Sequence, residues 1–429
     1  MNIEGLLAEL KDCPCGREHT VDIKAVEIGH GLKEKTADIL KENGFPTNIL
    51  VVADKNTLSA SEGILEVLEK GGITCKLKLY ENFREPLMEY VHEIELECEG
   101  VEGILSVGTG SLNDVCRKAA LTCDKEFAIF ATAPSMDGFA SGTSPIIENG
   151  IKSTLPARQP SILIGDTQIL AAAPAELKSA GFGDIIGKFT ALVDWRVSHV
   201  LSGEYYCERI AELVRTALRQ LISMADRVTQ SDEETAGFIM ETLVLTGLAM
   251  KLADVSRPAS GAEHMISHFW GMRKLAVGQH ADYHGKKVGV ATMILADLYH
   301  KMAQMQNIDF REDEVDWDAV YRGYGESFVD YVKGMNIPSA TENVTPESLR
   351  AAWPEICRIV EEELPAYEEL LAIMERAGAA TQCHEIDIDE PLAWDGVDFH
   401  TFMRHKITLS RLIYMTDIDT RKMGLRSLT

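Results

Sequence analysis

The chain has 429 residues, which is enough for two domains with a large buried core. Its formal net charge of −25 at pH 7 argues against a nucleic-acid or anionic-membrane surface, because either would need a basic patch. The nine cysteines are scattered, and residues 1–19 lack the basic-then-apolar order of a signal peptide. With no apolar run of membrane-spanning length, we expect a cytoplasmic protein with reduced thiols.

The first part of the chain alternates helix and strand patterns. Residues 32–44 and 61–72 have helical spacing and end at glycines. Short β-branched or apolar runs predict strands at residues 47–54, 75–80, 101–108, 126–132 and 161–166. Because strands that alternate with helices form parallel sheets, an α/β domain is predicted for residues 1–173.

From residue 174 onward the patterns are almost entirely helical. Long amphipathic stretches predict helices at residues 174–201, 208–228, 233–253, 284–304, 350–378 and 399–418. The acidic stretches 314–318 and 383–391 are interpreted as solvated connections. Residues 174–429 are therefore predicted to form an all-helical domain.

Gly108, Thr109, Gly110 and Ser111 follow a predicted strand and precede a predicted helix. Backbone N–H groups at a helix N-terminus favour phosphate oxygens, and glycine lets them approach closely. The third glycine of the dinucleotide motif is absent, so an ordinary strand-to-helix turn explains this loop equally well. Asp114, in the first turn of the helix, has a structural explanation in the helix dipole.

A second polar loop follows the next strand. It contains Thr132, Ser135, Asp137 and Ser141. Open α/β sheets bind ligands at the carboxyl ends of their strands. Two such loops after neighbouring strands favour a dinucleotide site over two surface turns.

Three candidate metal ligands, Asp184, His264 and His284, stand close to glycines. One carboxylate and two imidazoles, with an open position for water or substrate, suit a catalytic divalent metal. A single aspartate or histidine commonly has a structural role, but the combination of three such residues beside glycines favours a metal site over coincidence.

Two further histidines have open roles. His268 shares a helix face with His264, and His280 precedes His284 by one helical turn. Each is a candidate ligand, substrate contact or proton relay. A zinc-protease motif is rejected, because Glu263 precedes the first histidine instead of following it.

An N-terminal segment, "CPCGREH", carries Cys13, Cys15 and His19. A structural zinc site normally needs four ligands, and no second cysteine pair follows at a suitable distance. A turn with unligated thiols is therefore the favoured interpretation.

Five stretches between about residues 100 and 292 occur in a characteristic order: "GTGSLND", "TAPSMDGFAS", "AAAPAELKSAGFGDIIGKFTALVDW", "SRPASGAEHMISHFW" and "HGKKVGV". Together they resemble the glycerol-1-phosphate dehydrogenase family, most of all its longer bacterial branch. The wider group includes glycerol dehydrogenases, iron-type alcohol dehydrogenases and dehydroquinate synthases. The resemblance implies a Rossmann-like parallel-sheet domain over residues 1–173 and a helical domain over residues 174–429, as in dehydroquinate synthases.

The resemblance also implies roles for individual residues. The dinucleotide contacts would be Gly110, Ser111, Leu112, Asn113, Asp114, Thr132, Ala133, Pro134, Ser135 and Ser141. Asp184, His264 and His284 would hold the metal, which is zinc or nickel in the family. Asp137, Asp184 and His268 would contact substrate, with Asp184 and His268 as catalytic residues and His268 in proton transfer.

The activity implied is the NAD- or NADP-dependent interconversion of dihydroxyacetone phosphate and sn-glycerol 1-phosphate, a step of phospholipid biosynthesis. Arg257 and Ser260 are candidate phosphate donors by their closeness in sequence to the metal helix. A small phosphorylated substrate and a homo-oligomer are expected. A dehydrogenase of glycerol or another polyol is the alternative enzyme, and a non-catalytic metal- or nucleotide-binding protein is the alternative outside catalysis.

Overall fold

The computed structural model describes residues 1–429. The chain forms two compact units, of which unit 1 comprises Met1–Ile185 with Arg219–Asp254, and unit 2 comprises Ile186–Leu218 with Val255–Thr429. The chain therefore passes between the units three times. The boundary expected after residue 173 stays a prediction.

The strands all belong to unit 1. They are β1 (Ala25–Gly29), β2 (Asn48–Asp54), β3 (Thr74–Tyr80), β4 (Gly103–Gly108), β5 (Glu126–Ala131), β6 (Thr143–Glu148), β7 (Ile151–Pro156) and β8 (Ile162–Asp166). Six of them form one sheet in the order β1-β8-β5-β4-β2-β3, and every pairing in it is parallel. The remaining two, β6 and β7, form an antiparallel hairpin. The predicted parallel α/β sheet is confirmed.

Helices cover most of the rest of the chain. Those that begin before residue 255 are α1 (Ile3–Leu10), α2 (Thr36–Glu42), α3 (Lys55–Ala60), α4 (Ile64–Lys70), α5 (Met88–Glu97), α6 (Gly110–Thr122), α7 (Thr167–Ala172), α8 (Ala175–Ile186), α9 (Lys188–Ser202), α10 (Glu208–Ile222) and α11 (Glu233–Ala253). Those beyond are α12 (Ala262–Ala276), α13 (His284–Gln304), α14 (Trp317–Tyr324), α15 (Val329–Asn336), α16 (Pro346–Glu363), α17 (Tyr367–Arg376) and α18 (Glu390–Phe399). The predicted helical second part is confirmed.

The central strands explain why the sheet was readable from the sequence. All six residues of β4 are buried, and so are six of the seven residues of β2. A parallel strand covered on both faces is a nearly continuous apolar run, which is the pattern of these segments. The chain order reverses between β2 and β4, so the loops after these two strands border the switch point where such sheets bind ligands.

Five predicted elements differ in the structure. The stretches 174–201 and 350–378, each predicted as helical throughout, are each divided into two helices, α8 with α9 and α16 with α17. The helix expected over residues 399–418 is instead a series of 3₁₀ turns, including one at Ser410–Met415, after α18 ends at Phe399. The acidic stretch 314–318 is not only a connection, because Asp316 accepts the N–H of Ala319 at 2.9 Å and caps α14. In the stretch 383–391, a 3₁₀ turn is followed by Asp389, which caps α18.

One helix is long and apolar enough, by length and composition alone, to span a membrane. This is α11, and 72% of its apolar window is buried in the protein. Within unit 1 it packs against α7, β1 and β8. A core helix passes the same test, and the burial of α11 fits that interpretation.

Candidate active site

The first polar loop of unit 1 is built by close backbone contacts. The N–H of Thr132 donates to the carbonyl of Gly108 at 3.1 Å, which joins the loop after β5 to the end of β4. A Cβ atom added to Gly110 would lie 2.9 Å from two atoms of Met136. Gly110 is also the first residue of α6, so no side chain of its own stands before that helix N-terminus. This geometry suits a phosphate group.

The first turn of α6 is almost wholly buried. The hydroxyl of Ser106 donates to the side-chain oxygen of Asn113 at 2.6 Å, while the buried amide nitrogen of Asn113 has no hydrogen-bond partner. Burial raises the pKa of Asp114 to about 6, against the opposing charge of Arg117. An unsatisfied buried donor beside a glycine-lined helix N-terminus fits a polar ligand such as a dinucleotide.

Arg117 holds the second polar loop in place. Its guanidinium is fully buried and donates to the carbonyls of Phe139, Ser141 and Thr143 at 3.3, 3.1 and 3.3 Å. The hydroxyl of Ser141 in turn accepts the N–H of Thr143 at 3.1 Å. Arg117 has no distinctive signal in the sequence, because an arginine inside a helix gives no sign of which carbonyls it will reach.

Asp137 and Asp184 form a carboxylate pair in unit 1. Each offers an oxygen within 4.8 Å of the other, and the N–H of Asp137 donates to Oδ2 of Asp184 at 3.0 Å. Asp184 is fully buried on α8. One turn earlier, a Cβ atom on Gly181 would lie 2.0 Å from the carbonyl oxygen of Pro134. The glycine thus lets α8 approach the loop closely enough for the two aspartates to meet.

An imidazole group lies in unit 2. The ring centroids of His264 and His284 are 5.0 Å apart, and each ring offers a nitrogen within 4.8 Å of the other. His268 lies one turn after His264 on α12, and its ring centroid is 5.5 Å from that of His284 and 6.2 Å from that of His264. Unit 2 therefore brings together all three histidines that the sequence singled out for the site, and His280 is exposed.

Glu263 fixes the orientation of His264. Its buried carboxylate accepts the N–H of Gly261 at 2.6 Å and the hydroxyl of Thr190 at 2.7 Å, and its Oε1 lies 2.8 Å from Nδ1 of His264. Burial alone would raise the pKa of Glu263, but the bond to His264 and these donors bring it below its usual range. Nδ1 of His264 is thus engaged, which leaves Nε2 for a metal.

Asp194 anchors the start of α12. Its Oδ2 accepts the N–H of Ala262 at 2.8 Å, and its Oδ1 accepts the hydroxyl of Tyr299 and the N–H of Leu409, both at 2.9 Å. Burial, followed by the negative charge of Glu263, raises the pKa of Asp194 to about 7. This buried network holds the backbone from which His264 projects.

Comparison of the sequence with those of known proteins shows which family it resembles. The sequence model of the iron-containing alcohol dehydrogenases matches residues 27–174. A glycerol-1-phosphate dehydrogenase [NAD(P)+] of Halalkalibacterium halodurans is 36% identical over 302 residues, which are 68% of this chain and 75% of that protein. The chain belongs to the glycerol-1-phosphate dehydrogenase family. A protein of the same name from Geobacillus stearothermophilus is 28% identical over 95% of this chain and 96% of its own length.

Solved structures of the wider group share the fold. A probable glycerol dehydrogenase from Sinorhizobium meliloti superposes with a TM-score of 0.62 at 15% identity, covering 92% of this chain and 95% of that one. An NADH-dependent butanol dehydrogenase from Thermotoga maritima gives a TM-score of 0.61 at 16% identity, covering 91% and 92%. At such identities the likeness concerns the fold alone.

Arg257 of this glycerol-1-phosphate dehydrogenase family member has a structural role that its sequence position did not suggest. It is 2% exposed and donates to both carboxylate oxygens of Glu204, at 2.9 and 2.6 Å, and to the carbonyl of Ile407 at 2.7 Å. These bonds engage most of the donors of the guanidinium with buried protein partners. The expectation that Arg257 holds a phosphate stays a prediction.

Lys406 is a candidate phosphate contact that the sequence analysis missed. Its ammonium donates to the hydroxyl of Ser256 at 2.8 Å and to the carbonyl of Ser260 at 3.1 Å, just before α12. The side chain is partly exposed, unlike that of Arg257. No local pattern could have revealed it, because Lys406 and Ser256 are separated by 150 positions in the sequence.

Proposed function

We propose that the protein is a metal-dependent NAD(P)H oxidoreductase that interconverts dihydroxyacetone phosphate and sn-glycerol 1-phosphate. The observation that carries the proposal is the imidazole pair of His264 and His284, with Nδ1 of His264 engaged by the buried carboxylate of Glu263. A buried carboxylate behind a histidine is the usual support of a metal-binding imidazole. In a member of this family, such a pair has a direct catalytic use.

Asp184 is proposed to share one divalent ion with His264 and His284. Support comes from within each unit. Asp184 is buried and accepts the N–H of Asp137, and the rings of His264 and His284 each offer a nitrogen within 4.8 Å of the other. Two imidazoles and a carboxylate suit zinc or nickel. Such an ion, when bound, polarises the carbonyl oxygen of the ketone.

The loops after β4 and β5 are proposed to bind the dinucleotide. Backbone N–H groups from Gly110 to Asp114 would take its phosphates, and residues 132–135 with Ser141 would line the same crevice. Support comes from the N-terminus of α6, where Gly110 carries no side chain, and from the loop beside it that Arg117 holds. Bound NAD(P)H supplies the hydride for carbon 2 of the substrate.

His268 is proposed to move the proton. When the ketone is reduced, its oxygen must gain a proton as carbon 2 gains the hydride. The ring of His268 lies beside those of His264 and His284 but keeps partial exposure, so it can exchange protons with solvent. Asp137 is proposed to contact the substrate hydroxyls.

Lys406 is proposed to bind the substrate phosphate, together with Ser260. Burial, followed by the positive charges of Arg257 and Arg404, lowers the pKa of Lys406 to about 7, while Glu204 acts in the opposite direction. The ammonium is therefore charged below that pH and neutral above it. A phosphate dianion would bind the charged form preferentially.

Substitution of Lys406 by methionine is expected to raise the KM for dihydroxyacetone phosphate roughly 10- to 100-fold, because a charge-assisted hydrogen bond to the phosphate is lost. The kcat should change little. Because the ammonium loses its charge as the pH rises through about 7, the ratio of variant to wild-type KM should fall from about pH 6 to about pH 8. Initial-rate measurements across this range test the assignment. Lys422→Met, at an exposed lysine, is the control. A ratio of variant to wild-type KM near unity at every pH would contradict the assignment of Lys406 to the phosphate.

The decisive test of the function is the stereochemistry of the product. The purified protein should reduce dihydroxyacetone phosphate with NADH or NADPH to sn-glycerol 1-phosphate, because ketone and nicotinamide are held in one fixed relation. The product is offered to an enzyme specific for glycerol 3-phosphate: no reaction is expected, and full consumption refutes the proposal. Turnover of free dihydroxyacetone without turnover of the phosphate would assign a polyol dehydrogenase instead.

The cellular setting proposed is the cytoplasm, with the product entering phospholipid biosynthesis. No disulfide joins any of the nine cysteines, which agrees with a reducing compartment. A homo-oligomeric state is part of the same proposal.

A further inference from the structure

Unit 1 contains a second group of metal-ligand side chains, apart from the candidate active site. Cys13, Cys15 and His19 each offer one ligand atom, and these three atoms lie within 4.8 Å of one another. The sulfur of Cys15 is 3.3 Å from Nε2 of His19. Cys13 and His19 are each 8% exposed, and Cys15 is half-buried. Two thiols and an imidazole in so small a space are a soft ligand set, which selects zinc over magnesium or calcium.

The ring of His19 is oriented from behind. Its Nδ1 lies 2.8 Å from the carbonyl oxygen of Leu252, in the last turn of α11. A nitrogen facing a carbonyl carries the proton, so the lone pair stands on Nε2, the nitrogen that faces Cys15. Metal-bound histidines commonly donate their second N–H to a carbonyl in this manner. Arg17 adds a contact to the next carbonyl, that of Ala253, at 3.4 Å.

A tight turn brings the two cysteines together. The N–H of Gly16 donates to the carbonyl of Cys13 at 3.1 Å, and Gly16 has a φ of +77°, which favours glycine. The turn therefore closes around Pro14 and Cys15. This turn, which belongs to no helix or strand, brings the sulfurs of Cys13 and Cys15 together.

We propose that Cys13, Cys15 and His19 bind one zinc ion. Thiolates and imidazole are the ligands that zinc prefers in proteins, and zinc sites with three protein ligands keep a further position open. The three side chains lie within unit 1, on one short segment held against the last turn of α11.

Other cysteines of the chain have different surroundings. The sulfurs of Cys75, Cys98 and Cys123 donate to carbonyl oxygens, at 3.8, 3.3 and 4.0 Å respectively. Cys116 and Cys357 lie within α6 and α16.

The wild-type protein tests the site without any substitution. The full-length chain is stripped of metal, loaded with Co²⁺ and examined by absorption spectroscopy. Thiolate-to-cobalt charge-transfer absorption with tetrahedral d–d bands is expected. The proposed active-site ligands contain no sulfur, so their occupancy cannot produce this signal, and a failed dehydrogenase assay leaves the result unaffected. Absence of the charge-transfer absorption would overturn the proposal.

Substitutions then assign the ligands. Cys13→Ser, Cys15→Ser and His19→Ala should each remove one equivalent of zinc, measured by elemental analysis, and weaken the cobalt–thiolate absorption. Cys357→Ser and Cys123→Ser, at half-buried cysteines outside the group, are the matched controls and should keep both. Far-ultraviolet circular dichroism checks that each variant folds. A Cys15→Ser protein with full zinc content and an unaltered cobalt spectrum refutes the site.

Discussion

Replacing Asp184, His264 or His284 with alanine is expected to abolish both binding of the active-site metal and dehydrogenase activity. A site with three protein ligands cannot lose one and keep a divalent ion at ordinary concentrations. Without the ion, several kcal/mol of transition-state stabilisation disappear, a loss of roughly a thousandfold or more in kcat. Elemental analysis and the reduction of dihydroxyacetone phosphate measure the two effects in the same preparations.

Two features make this experiment specific. His280→Ala is the matched control, because His280 is an exposed histidine near His284, and it should keep full metal content and activity. The cobalt–thiolate absorption should persist in all four variants, so any loss of metal is attributable to the active site. A His284→Ala protein with stoichiometric metal and normal turnover would show that the ligand set is wrong.

His268→Ala is expected to keep the metal while kcat falls roughly a hundredfold or more, the range for a positioned acid–base group. The residue is assigned to proton transfer because its ring lies beside the two proposed ligands and stays partly exposed. The pH dependence of kcat separates this role from a structural one: the limb that reports the histidine should disappear in the variant.

His268→Gln supplies the companion measurement. Glutamine keeps a polar side chain of similar reach but cannot transfer a proton at neutral pH, so its kcat should stay close to that of the alanine variant. Its KM should stay close to that of the wild type. If either variant loses the active-site metal, His268 belongs among the ligands and its assignment to proton transfer fails.

The sheet was predictable because its strands are apolar throughout. Residues 49–53 of β2 and 103–108 of β4 are buried on both faces, and such runs stand out between amphipathic helices. The first strand, β1, was missed, since it is short and includes an exposed Glu27. The hairpin of β6 and β7 was missed as well, because its turn and polar residues look like a loop.

The helix predicted at the end of the chain was wrong for a different reason. Residues 399–418 contain apolar residues near helical spacing, but the buried Leu409 and Leu412 lie at the start of and within the 3₁₀ segment Ser410–Met415. Arg411 holds these turns through an ion pair with Asp313. Local patterns cannot foresee a contact between residues so far apart, and here the tertiary contact outweighs the helical preference.

The candidate site, too, was predictable from the sequence only in part. The sequence pointed to Asp184, His264 and His284 because glycines flank them and their side chains suit a metal. Glu263 was visible too, but its position beside His264 was used only to reject a protease, while its carboxylate in fact supports that histidine. Lys406 had no local signal whatever, since its partners before α12 lie in a different part of the sequence.

The discontinuous composition of unit 1 has a consequence for the protein's synthesis. Its sheet is complete once β8 has been made, yet α11, which packs against β1, β8 and α7, follows only at residues 233–253. A ribosome adding about 5–20 residues per second would leave the surface of β1 and β8 that α11 covers exposed for several seconds. During that interval this surface is open to aggregation, and a polypeptide cut after β8 would keep it exposed permanently.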